Sequence, residues 1–158
     1  MTKFLLSVHV IAAILAIGPV AVAASMFPPA ARRALATGPG DDSGHGGDDP
    51  DPTGTLRLLH RICRVYAVVG VVVPVFGFAT ASEMGVLGSA WLIVSILLTT
   101  LAALVLAALV LPAQSALLDG SAGAERAARL GMVTGLFNLL WAAVTVLMIV
   151  RPGSTTGA

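Results

Sequence analysis

Four apolar runs dominate the chain, at residues 4–27, 65–81, 90–111 and 130–150. Each is close to the ~17–25 residues that cross a hydrocarbon layer of about 30 Å. In lipid the backbone must satisfy its own polar groups, so such runs are helices rather than open strands. The abundant valine would favour strands in water, but the length and continuity of the runs overrule that preference. The pattern predicts an all-α fold: a transmembrane antiparallel four-helix bundle forming one domain over residues 1–158. The first run also imitates a secretory signal, with Lys3 ahead of it and Ala21-Val22-Ala23 as an A-x-A cleavage site. Arg32 and Arg33 follow closely and favour retention of the run as a span.

The breaks between the runs set the orientation. Arg32, Arg33, Arg57, Arg61 and Arg64 lie between the first and second runs, and Arg126 and Arg129 between the third and fourth. The opposite side holds only Lys3 and Arg151. The positive-inside rule places these two longer segments in the cytoplasm and both termini outside. Residues 82–89 are then a short external turn with Glu83 as its one charge. Residues 38–54 read GPGDDSGHGGDDPDPTG, which cannot bury apolar area, and are expected to form a disordered acidic cytoplasmic loop. The helix is expected to resume at Thr53 or Thr55, either of which can cap it. Pro112 is expected to close or kink the third span, with residues 114–129 as a small amphipathic connector.

Composition supports a bilayer as the solvent. The chain is 57% hydrophobic and 11% charged, against about 25% charged in soluble domains. A net charge of +1 gives no basis for nucleic-acid binding. A single cysteine, Cys63, excludes an internal disulfide.

Candidate chemistry is sparse. Polar groups inside spans are costly and so mark function. His9 lies early in the first span, where it can hydrogen-bond to Thr80, Ser82 or Glu83 or act as an axial haem or metal ligand. His60 lies near the opposite face, so the two histidines are about 30 Å apart and cannot share one iron within a chain. Gly131, Gly135, Asn138, Ala142 and Thr145 form a small-and-polar stripe on the fourth span. The stripe is expected to pack inside the bundle, with a homodimer face as the alternative. Arg57, His60, Arg61 and Arg64 share one helical face and form a contact for lipid headgroups or an acidic partner. Ser95 and Thr99 are expected to bond their own helix. Cys63 and His60, three residues apart, make at most a two-ligand pair. No catalytic constellation and no metal-ligand set emerge from the spacing, and four spans with one histidine and one asparagine offer little to line a pore.

Three places carry a resemblance: Ser7-Val8-His9-Val10 through Gly18, Leu59-His60-Arg61, and Leu147-Met148-Ile149-Val150-Arg151-Pro152-Gly153. Here the chain resembles a bacterial family of predicted integral membrane proteins, the one catalogued as domain of unknown function 2269. That family is similar in layout to CopD-type copper-resistance proteins and HemJ-type protoporphyrinogen oxidases. The resemblance implies a multi-pass protein of the bacterial plasma membrane, with haem b on His9 as a candidate cofactor. The intramembrane lysine of the oxidases has no counterpart, since Lys3 is the only lysine. The functional expectation is therefore an accessory or assembly subunit or a small homo-oligomer, with the lipid bilayer and membrane-complex subunits as partners. The alternative is a haem-binding redox or tetrapyrrole-handling protein.

Overall fold

A computed structural model describes residues 2–36 and 51–153. All secondary structure in these residues is helical, and four stretches are long and apolar enough to cross a membrane. They are Thr2–Ala36 (α1), Pro52–Glu83, Ala90–Leu118 and Ala124–Val150 (α6). Each of the four apolar runs falls within one of these stretches, and every stretch extends past its run.

α1 continues beyond residue 27 through Pro28 and Pro29. Interior proline removes a hydrogen bond and costs about 3 kcal/mol, so tertiary packing has to hold this segment helical. Phe27, Pro28 and Ala31 are all buried. The second stretch is two helices, α2 (Pro52–Val69) and α3 (Val72–Glu83). Pro74 explains the break at Gly70–Val71. It has no N–H to give the Gly70 carbonyl four residues back, and that carbonyl accepts from Val73 N instead, at 3.2 Å. Asp51, rather than Thr53 or Thr55, caps α2: its carboxylate accepts from Thr53 N at 3.0 Å and Gly54 N at 2.9 Å, and Pro52 occupies the first turn. An aspartate cap followed by proline needs no free N–H at that position. Residues 52–54 of the loop expected at 38–54 are therefore helical, and its residues 38–50 lie outside the described residues.

The third stretch comprises α4 (Ala90–Leu104), a π-helical turn (Val105–Val110) and α5 (Leu111–Leu118). Leu111 N donates five residues back to Leu106 O, and Pro112 follows. A widened turn lets the helix accommodate the proline ring without ending, so Pro112 neither closes the span nor stops the helix. Residues 114–118 consequently belong to α5 and not to a separate connector. Two helix ends carry the same closure. Gly85 (φ +66°) and Gly120 (φ +70°) adopt the left-handed conformation, and Val86 N and Ser121 N donate five residues back to Ala81 O and Ala116 O.

α1 packs on α2, α3 and α6, and α4 packs on α6; the π turn and α5 also lie on α6, and α5 on α2. The main core lies among Phe27, Ala31, Leu59, Cys63, Leu130 and Phe137. A smaller cluster of Ala81, Trp91 and Leu92 lies where α3 meets α4, with Val86 and Met148 against it.

Candidate functional site

Three places hold the polar side chains singled out in the sequence. The first is His9, which is half-buried. Its Nδ1 lies 3.0 Å from the Val73 carbonyl of α3. A carbonyl only accepts, so Nδ1 carries the hydrogen and Nε2 keeps its lone pair. None of the expected partners takes part: Thr80 donates to its own helix, at Phe76 O, 2.7 Å. Gly77 makes the contact possible, because a Cβ there would stand 2.8 Å from His9 Cε1. In sequence Gly77 is one glycine among seventeen, with nothing local to mark it.

The second place joins α2 to α5. Gln114 is fully buried. Its Nε2 donates to Cys63 Sγ at 3.5 Å, which turns its Oε1 to His60 Nδ1 at 3.0 Å. The imidazole is thereby fixed with its hydrogen on Nδ1 and its Nε2 directed away from Gln114. The fold thus brings His60 and Cys63 together through a residue that spacing could not supply. The one signal for Gln114 was an amide in the apolar stretch after Pro112. His60 also lines an open groove of about 540 Å³ with Arg64, Pro112, Ser115, Asp119 and Ser121. Arg57, Arg61 and Arg64 are exposed, while Leu56, Leu59 and Cys63 on the other face of α2 are buried.

The third place is the stripe on α6. It does not form the interior of the bundle. The buried face consists of Ala127, Leu130, Thr134, Phe137, Leu140 and Val144. Gly131, Gly135, Ala142 and Thr145 are exposed and Asn138 is half-buried. Bulky side chains took the interior because they fill the space between helices, and the small residues were left outside. The stripe meets α1 along one edge: Gly131 faces Pro28 at 3.7 Å from a notional Cβ, and Asn138 Nδ2 donates to the exposed Ser25 Oγ at 2.9 Å. These contacts form a shoulder between α1 and α6 lined by Ser25, Gly131, Gly135 and Asn138.

Among the described residues no group of three or more His, Cys, Asp or Glu is placed to hold a metal ion. Arg151 ends α6 with its guanidinium 5.7 Å from the Trp91 ring and its Nε donating to Met148 O at 3.2 Å. Ser95 bonds its own helix at Trp91 O, 2.8 Å, as expected. Comparison with known proteins finds no matching family model, no matching curated protein and no matching solved structure.

Proposed function

We propose that the chain is a small multi-pass membrane protein that works as a non-catalytic subunit, joined to a second copy of itself through the shoulder between α1 and α6. The observation that carries this reading is the outward exposure of Gly131, Gly135, Ala142 and Thr145. Their neighbours Met132, Leu136, Leu139 and Val146 are large and exposed, as a lipid-facing surface requires. A run of small residues within such a surface lets another helix approach closely. Ser25 accepts from Asn138 and has no further partner among the described residues, so its hydroxyl hydrogen remains for an acceptor on the second helix. The helices alternate in direction, with both termini outside, as the arginine distribution favours. Location in the bacterial plasma membrane rests on the family resemblance. Native mass measurement in detergent tests the pairing: an assembly larger than one chain that Gly135→Leu reduces to monomer is expected. A wild-type monomer with no co-purifying membrane chain would overturn it.

One observation favours a second reading, haem b on His9. The Nδ1–H bond to the Val73 carbonyl is the kind of support that orients a ligating histidine and leaves Nε2 to bind. His9 would supply one axial nitrogen, and the haem would supply one-electron redox chemistry. An oxidised-minus-reduced spectrum of protein from haem-replete cells is expected to show a Soret band that His9→Ala removes. An unpigmented wild type would end this reading and leave His9 as a tie between α1 and α3.

A further inference from the structure

The geometry points to a binding site for the headgroup of a phosphatidylethanolamine-type lipid in the groove between α2 and α5, with Arg64 on the phosphate and Asp119 and His60 on the ammonium. The inference rests on the spanning placement of the helices and is independent of the pairing of chains.

Three observations carry it. The first is level. Arg64 is the last charged residue before the uncharged stretch 65–82, whose Val65 and Val68 are exposed. Asp119 is the first charged residue after the uncharged stretch 84–118. Both charges therefore stand at an apolar-to-polar boundary, and the packing of α2 on α5 brings the two boundaries to one groove. Headgroups occupy that level in a bilayer.

The second is charge without a partner among the described residues. The Arg64 guanidinium and the Asp119 carboxylate line the same groove, yet neither side chain has a partner among the described residues. A pair of opposite charges held apart matches a ligand with its own separated pair. Guanidinium prefers phosphate, which it can grip with two parallel N–H bonds. A carboxylate prefers an ammonium with N–H groups to donate.

The third is preparation of the histidine. Gln114 is spent on Cys63 through its nitrogen, so its oxygen accepts from His60 Nδ1. The ring is thereby held on the groove wall with its lone pair on Nε2, an acceptor for an ammonium N–H. Ser115, whose hydroxyl has no partner among the described residues, offers a donor to the phosphate on the same wall. Leu111, Pro112 and Ala116 complete the lining with apolar surface for the upper part of an acyl chain.

The test is native mass spectrometry of the full chain in detergent, with phosphatidylethanolamine, phosphatidylcholine and phosphatidylglycerol of identical acyl chains added in turn. Wild type is expected to retain the ethanolamine lipid over the other two by about tenfold, the worth of one charge-assisted hydrogen bond. Asp119→Asn should remove the preference over phosphatidylcholine, whose nitrogen has no N–H. Arg64→Gln should lower retention of all three lipids. Arg126→Gln, exposed and outside the groove, is the control and should leave retention unchanged. Equal retention of the three lipids by wild type would overturn the proposal, as would a loss in Arg126→Gln equal to that in Arg64→Gln.

Discussion

The two ends of the helix array are built differently. At the arginine-rich end α1, α2, α5 and α6 close around Phe27, Ala31, Leu59, Cys63, Gln114 and Leu130, all buried. At the other end the buried cluster is smaller, Ala81, Trp91 and Leu92, with Val73, Thr80 and Val144 buried outside it. Between residues 2 and 15, α1 has no fully buried side chain, and His9 ties it to α3 by a side-chain hydrogen bond. The helices explain the contrast by their length. At ~1.5 Å per residue, the 35 residues of α1 reach about 52 Å, well beyond an apolar layer of about 30 Å. Where helices leave the lipid, water surrounds them and the chain must supply its own core. Where lipid is the solvent, apolar side chains can stay outside without penalty.

That contrast can be broken most severely at the closed end. Phe27→Ala should lower stability by about 3 kcal/mol, because a fully buried aromatic leaves a cavity that four helices cannot collapse. Leu5→Ala, on the open half of the same helix, should cost under about 1 kcal/mol. Unfolding in mixed micelles measures both, and equal losses would erase the distinction between the two ends.

Gln114→Ala should cost about 2 kcal/mol, through a small cavity and the lost bonds to His60 and Cys63. It should also expose Cys63, which is fully buried in the wild type, to a maleimide. Unchanged labelling in a destabilised variant would show that Gln114 does not cover the thiol.

At the open end the expected effects are smaller. Gly77→Ala places a Cβ 2.8 Å from the His9 ring and should cost about 1–2 kcal/mol. In a His9→Ala background the same substitution should cost close to nothing, a coupling that a double-mutant cycle reads directly. Additive losses would mean that the Gly77 contact is not with His9.

The sequence located all four helical stretches, because uninterrupted apolar length is itself a membrane signal. It misplaced their ends. Pro28 and Pro29 look like a stop, and only packing with α2 and α6 keeps the helix going; Asp51 was hidden inside a run of aspartates. The interior of α6 differs from the expectation for a related reason. A helix that is apolar all round has no amphipathic face to mark its inside, and bulky residues occupy the interior where the small-residue stripe is expected. His60 and Cys63 were visible as a pair at helical spacing. Their common partner, Gln114, lies 51 residues from Cys63, and no local pattern links positions so far apart.

Self-association is the most direct test of the functional reading, because Gly135 is exposed and its replacement leaves the fold's own packing untouched. Native mass measurement of wild type and Gly135→Leu in the same detergent, with helix content checked by circular dichroism, decides it. A wild-type oligomer that falls to monomer in the variant, with helix content unchanged, is the expected result. A wild type that is monomeric without a co-purifying chain, or a variant that keeps the wild-type assembly, would contradict it.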